Sequence, residues 1–446
     1  MTVASTSDQS TIYQRPAELL QNLICFDTTN PPGNEADCVN YINQLLTAVG
    51  FKTNLLTSDP ARPNLITRLA GHGHAPPLLL YGHVDVATTE NQTWQHPPFE
   101  GKLVNGYVWG RGALDMKGGV AMMLTALLRA KAESLTPPGD VVLVILSDEE
   151  RGGELGAKYL VENHAALFDG IRYAIGEFGG YTLYVGQKTF YPIMVSEKQG
   201  CVLRAKVRGP SGHASFFHRG GATAKLAKFL QQLEKHRLPV HIQPVVRQMV
   251  KAISSAQPFL MKIAFRQLLK PMLTNKVLNL LGTKGQNYDP LFHNTVNVTG
   301  VHGGEHFWSI PSEIIVEMAV SLIPNNSPDD LINELRQIVG EDVEFEVVLQ
   351  EPPGPTEPDL GLFDTLTSVL HEADPEGIPV PIMLVAVSDG RHFSRLGIQT
   401  YGFTPMKLPR GIDFARTAHA ADERIPVEAL DFGTSLIYKV LQRFGN

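Results

Sequence analysis

LLLYGHVDV (Leu78–Val86) is the stretch whose reading decides the fold. Leu78 to Tyr81 is continuously apolar rather than alternating, the pattern of a strand buried on both faces of a parallel sheet. The run ends in His83 and Asp85, two side chains able to serve a metal. VVLVILSDEE (Val141–Glu150) repeats the design and delivers Asp148, Glu149 and Glu150 at its end. YAIGEF (Tyr173–Phe178) delivers Glu177, and Gln399 to Phe403 reads as a further buried strand. Helical segments separate these runs, Gly118 to Ala132 among them, so the order is βαβ. The fold class expected is therefore α/β, a mainly parallel sheet. Ligands of open α/β sheets bind beyond the carboxyl ends of the strands, where these acidic and imidazole groups fall.

Two more loops supply groups of the same kind. GRGALDMKGG places Asp115 in a glycine-rich loop ahead of a helix, and TAHAADERIP places His419 in a loop before the final helix. Neutral imidazole and carboxylate oxygen suit zinc, with cobalt or manganese as substitutes. An isolated HxD or DEE is commonly a solvated turn; the whole set at matching positions is what carries the reading. No GxSxG elbow and no GxxxxGK[ST] loop occurs, so serine-hydrolase and nucleotide chemistry have no anchor.

The middle of the chain has a different rhythm. Cys201–Arg208 alternates, Ala222–Glu234 has helical spacing, Thr295–Val301 and Ile314–Ile323 are strand-like, Ser327–Val339 opens on a helix-start signal, and Val343–Leu349 alternates. This order predicts an inserted α+β lid domain over 197–352, between a first catalytic part, 1–196, and a second, 353–446. The Pro-rich stretch from Glu351 to Pro358 marks the return. Within the insert, 241–292 is an excursion, apolar with scattered Lys and Arg. It reads as a buried helical hairpin on the lid; the other reading is an acyl-chain wall or a membrane-surface contact.

With 446 residues, a net charge of -7 and a pI near 6.1, the chain has neither the size of a single core nor the basic surface of a nucleic-acid partner. The N-terminus is polar, and no stretch reaches roughly 18 uninterrupted apolar residues. Cys25, Cys38 and Cys201 are too few and scattered for a disulfide framework or thiolate zinc site. A cytoplasmic location is the expectation.

The motifs FDTTNPPGNE, GHVDV, WQHPPFEG, GRGALDMKGG, SDEERGGELGA, SGHAS, SDGRHF and AHAADER occur in one order along nearly the whole chain. In that order they resemble the metallopeptidase family of aminoacylase, acetylornithine deacetylase, succinyl-diaminopimelate desuccinylase and glutamate carboxypeptidase. The long excursion resembles the branch of carboxypeptidase S and N-acyl amino acid hydrolases. The resemblance implies two zinc ions bridged by Asp115, one also held by His83 and Glu177, the other by Glu150 and His419. It further implies Glu149 as general base, Asp85 as the partner that orients His83, and a cis peptide between Asp115 and Met116. His213 of GPSGHAS would stabilise the oxyanion, often across a homodimer formed through the lid. Arg391 of SDGRHF would contact substrate. His72, His74, His302, His306 and His392 read as structural.

The chain departs from the family at two places. Relatives carry Asn in GGxxxNxIP and an Arg shortly after, both holding a substrate carboxylate; here Trp308 and Ser321 stand there. Losing a guanidinium removes the bidentate partner of a carboxylate, and gaining an indole adds an apolar face. The expected function is hydrolysis of the amide bond of a small N-acyl amino acid, dipeptide or related amide, on a substrate more lipophilic than an N-acetyl amino acid or lacking that carboxylate. The alternatives are a dipeptidase or aminopeptidase needing a free amino terminus, a metal-bound but idle binding protein, and a peripheral membrane hydrolase.

Overall fold

A computed structural model describes residues 11–445 apart from Phe217, Glu305 and Thr356, and apart from the side chain of Lys284. The polar start of the chain lies largely outside the described residues. The chain divides into two compact units: residues 1–196, 357–382 and 388–446 form the first, and residues 197–356 with 383–387 the second. The second thus claims a short piece, Met383–Val387, from beyond the expected return.

In the first unit, Val141–Leu146, Leu78–His83, Tyr173–Gly176 and Gln399–Gly402 lie side by side and parallel. The sheet is mixed, parallel at its centre and antiparallel toward its edges. Asn64–Leu69 and Thr53–Leu56 extend one side antiparallel, and Lys188–Glu197 pairs antiparallel with Gln399–Gly402 on the other. Leu78–His83 and Val141–Leu146 are buried at every position, which is why their sequences lack alternation. Lys117–Ala132, almost wholly buried, packs against Val427–Arg443 and Pro16–Ile24. Its first turn comes so close to the Asp115 loop that a Cβ on Gly118 would stand 2.2 Å from the Ala113 carbonyl oxygen. Only glycine allows that approach.

The second unit is a four-stranded antiparallel sheet in the order Thr295–His302, Glu313–Leu322, Gln199–Arg208, Val343–Gln350. Alternate residues Ile314, Val316, Met318, Val320 and Leu322 are buried, and helices Ala222–Lys235 and Pro328–Val339 pack on the sheet. Ser327 and Asp330 close a reciprocal capping box at the second helix, fixing its start.

The excursion is not a hairpin. It breaks into Pro244–Ser255, Phe259–Gln267, Pro271–Leu280 and Thr283–Tyr288. Pro244 and Pro271 occupy first-turn positions, where their missing N–H costs nothing. Its base is pinned by Glu334, which accepts from His241 at 2.6 Å and from Asn294 at 3.0 Å. Among the described residues no helix is long and apolar enough to cross a membrane.

Candidate active site

The carboxyl ends of the parallel strands bring the acidic and imidazole groups together. Ligand-capable atoms of His83, Glu149 and Glu177 lie within 4.8 Å of one another, and so do those of Asp115, Glu150 and His419. Asp115 joins the two groups. Its Oδ1 is 3.3 Å from His83 Nε2, and its Oδ2 is 3.1 Å from His419 Nε2. Glu177 Oε2 stands 3.2 Å from His83 Nε2, and Glu150 Oε1 3.1 Å from His419 Nε2. Glu149 Oε2 is farther out, 3.9 Å from His83 Nε2. The Asp115–Met116 peptide is cis.

Asp85 holds this arrangement from beneath. It is fully buried, and its carboxylate accepts from the main-chain N–H groups of Glu149 at 3.1 Å and Glu150 at 3.0 Å. His83 Nδ1 lies 3.0 Å from the Asp85 carbonyl and 3.4 Å from its carboxylate, which leaves Nε2 facing Asp115 and Glu177. The imidazole's orientation is thereby set.

Charge shows what the cluster lacks. Burial raises the Glu149 carboxyl well above its ordinary range, and Glu177 beside it adds to the rise. Burial likewise pushes Glu177 up to about 8, against the pull of His83. Burial would depress His83, yet Glu177, Asp115 and Asp85 hold it well above its usual value. Hydrogen bonds to Asp115 and Glu150 lift His419 to about 10. Glu177 Oε1 is buried with no hydrogen-bond partner. The site is short of positive charge and carries an unmet acceptor, the signature of a place built around cations. The donors therefore fit a pair of divalent metal ions.

Several residues that organise the site were not singled out in the sequence. Asn30 donates to Asp85 at 2.9 Å and Asp148 at 3.1 Å; Arg62 bridges Asp148 and the buried Glu35. Buried Glu423 accepts from the N–H of Leu114 and of Asp115, while Arg111 donates to the carbonyls of Ala87, Thr88, His419 and Ala420. Asp389 is buried with both carboxylate oxygens lacking a hydrogen-bond partner, and burial lifts it to about 7, against the pull of Arg391. Asn30, Glu35, Arg111, Asp389 and Glu423 all lie inside the quoted motifs, and that membership was the one available signal.

Arg391 has a structural part that was not expected. It is buried and donates to the main-chain carbonyls of Ser388 at 2.5 Å and Gly152 at 2.8 Å, bracing the loop after Glu149 and Glu150. A guanidinium so engaged braces that loop, a part the sequence did not announce. The remaining candidates belong to the inserted unit. His213 is exposed and pairs across a two-stranded ribbon with Ser309. Ser215 N–H donates to His213 Nδ1 at 3.2 Å, leaving Nε2 as the N–H donor of the neutral ring. Trp308 is 73% exposed and joined to this ribbon by the Ala214 N–H on its carbonyl; Phe216 and Phe307 are exposed too. Ser321 lies opposite Gly200 and Thr295 on the half-exposed side of Glu313–Leu322.

Comparison with known proteins gives relatives in sequence and in fold. The chain is 26% identical over 363 residues to a probable carboxypeptidase S-like protein of Dictyostelium discoideum, covering 79% of this chain and 68% of that one. It is 27% identical over 382 residues to the N-fatty-acyl-amino acid synthase/hydrolase of Homo sapiens, covering 82% and 74%. In fold it is similar to the M20 family metallo-carboxypeptidase Sso-CP2 of Sulfolobus solfataricus, with a TM-score of 0.70 at 18% identity over 96% of this chain and 98% of that one. Residues 79–443 match the sequence pattern of Peptidase family M20/M25/M40, and the chain belongs to that family of metal-dependent hydrolases acting on amide bonds.

Proposed function

We propose that the chain is a dinuclear zinc hydrolase that cleaves the amide bond of N-acyl amino acids with an apolar acyl group. The single observation that carries the reaction is Asp115, which offers one carboxylate oxygen to the His83 group and the other to the His419 group. His83 and Glu177 would hold one ion with Asp115, and Glu150 and His419 the other. Bound there, the ions would supply Lewis acidity toward the scissile carbonyl and a lowered pKa for the attacking water.

The chain's own groups do the rest. Glu149 takes the proton of the water and passes it to the leaving nitrogen, a role suited to a buried carboxylate whose proton affinity is raised. Asp85 fixes both the His83 ring and the backbone that presents Glu149 and Glu150. His213, with Nε2–H free to donate, is the oxyanion donor. Phe216, Phe307 and Trp308, on or beside the ribbon that carries His213, supply apolar area for an acyl chain. One relative's name supports this substrate class: it is called an N-fatty-acyl-amino acid synthase/hydrolase.

The test is metal-stripped protein reloaded with zinc, cobalt or manganese and offered N-acyl amino acids of increasing chain length, their C-terminal amides and free-amine dipeptides. We expect activity to return with metal and kcat/KM to climb roughly tenfold or more from acetyl to a medium-length acyl chain. Full turnover without metal would defeat the chemistry; a preference for free-amine dipeptides would defeat the substrate class.

A further inference from the structure

Residues 235–288 contain nine Lys or Arg and no Asp or Glu, in a chain whose net charge is -7. The helix Phe259–Gln267 in this stretch has six apolar residues among nine and buries none of them. Phe259 and Leu260 are 74% and 79% exposed, and Ile263 completes the same face. On the neighbouring helix Pro271–Leu280, Thr274 and Leu278 are buried, while Met272, Lys276 and Leu280 share the opposite, outward stripe. Met272 is 90% and Leu280 83% exposed.

Exposed apolar side chains interleaved with cations are costly in water unless something covers them. Arg237 is committed to Asp289, but among the described residues Arg247, Lys251, Lys262, Arg266, Lys270 and Lys276 form no ion pair. Charge identifies the occupant. An interface with another protein of balanced surface would bring carboxylates within the patch or close around it, whereas a run of like charge with protruding Phe, Leu and Met fits an anionic lipid surface. The aliphatic and aromatic groups enter the acyl boundary and the Lys and Arg heads meet the phosphates.

We propose that the face formed by Phe259–Gln267 and Pro271–Leu280 docks the enzyme onto membranes rich in acidic phospholipid. This goes beyond the hydrolytic reading and does not rest on it. None of these residues belongs to the catalytic cluster, so hydrolysis of a small water-soluble substrate is independent of the face.

The experiment is sedimentation of the metal-loaded full chain with vesicles of phosphatidylcholine alone, and with vesicles of phosphatidylcholine and phosphatidylglycerol. We expect partition onto the mixed vesicles that weakens with salt and is much lower on neutral ones. The triple variant Lys262→Gln, Arg266→Gln, Lys270→Gln should lose roughly fivefold per cation, about a hundredfold in all. Phe259→Ser with Leu260→Ser should also reduce partition, and both variants should keep wild-type turnover of the soluble substrate, which shows that they fold. Equal partition of wild type and folded variants overturns the proposal, as does failure of the wild type to bind mixed vesicles at low salt. Concentration-dependent self-association that Leu260→Ser abolishes, without vesicle binding, overturns it in favour of a second copy.

Discussion

Arg111 donates to Glu423 at 2.6 Å, and neither side chain reaches solvent. The pair ties two loops that are more than three hundred residues apart in sequence: Glu423 also accepts the N–H of Asp115, and Arg111 also donates to the carbonyl of His419. The bridging carboxylate and the outer imidazole are thus set by one buried ion pair. Removing one partner leaves the other charge buried and uncompensated, at a cost of about 3–5 kcal/mol. Glu423→Gln should lower the denaturant midpoint sharply and reduce metal content as purified. An unchanged midpoint with full metal occupancy would show that the pair does not organise the site.

Asp85 predicts a different signature. Its two oxygens receive the N–H groups of Glu149 and Glu150, so Asp85→Asn turns an amide NH2 toward one of those donors. We expect a loss of about 10–100-fold in metal affinity or in kcat, with little change in KM. Isothermal titration with zinc alongside steady-state kinetics checks this; wild-type values in both would remove Asp85 from the design.

The parts legible in the sequence share a physical reason. Strands buried on both faces cannot alternate, so Leu78–His83 and Val141–Leu146 announce themselves, and their ends fix where His83 and Glu149 emerge. The sheet's antiparallel edges were not legible, because strand direction depends on pairing. The bracing part of Arg391 was not legible because arginine is rarely buried, and its two carbonyl partners come from separate loops. The roles of Asn30, inside a quoted motif, and of Arg62, outside any, were illegible for the same reason: they arise from contacts with Asp85, Asp148 and Glu35 that no local spacing encodes.

Glu149 and Glu177 are neighbours in space with separable roles. As a general base, Glu149 is worth about 10²–10⁴-fold in rate. Glu149→Gln should lose that much kcat while keeping its metal, whereas Glu177→Gln should lose metal first. Metal analysis by mass spectrometry paired with kcat decides it. A Glu149→Gln protein with normal turnover, or one stripped of metal, contradicts the assignment.

Lys198 makes the stability of the inserted unit depend on pH. It is 1% exposed, its ammonium donating to the His293 carbonyl at 2.9 Å, and burial depresses it to about 7 despite the charge of Asp289. An unfolded lysine titrates near about 10.4. Between those values the unfolded chain binds a proton that the folded chain has released, so this group makes stability rise with pH and contributes its full penalty below about 7. Lys198→Met removes the titration. The advantage of wild type over the variant in urea midpoint should therefore grow from about pH 7 to about pH 9; a difference that stays constant would place the lysine's titration outside this window.

Arg391 separates bracing from substrate contact. Its guanidinium reaches two carbonyls, those of Ser388 and Gly152, from two separate nitrogens, a fork that a lysine ammonium does not reproduce. In Arg391→Lys the loop carrying Glu149 and Glu150 loses one buried donor, at about 1–3 kcal/mol. A brace predicts a lower unfolding midpoint and a lower kcat, with KM changing alike for an N-acyl amino acid and its C-terminal amide. A carboxylate-binding arginine predicts the reverse: a stable protein whose KM rises for the free acid and not for the amide. Because the two substrates differ only at the carboxylate, the ratio of their KM values isolates that contact. A rise confined to the acid would return Arg391 to the substrate, against its burial.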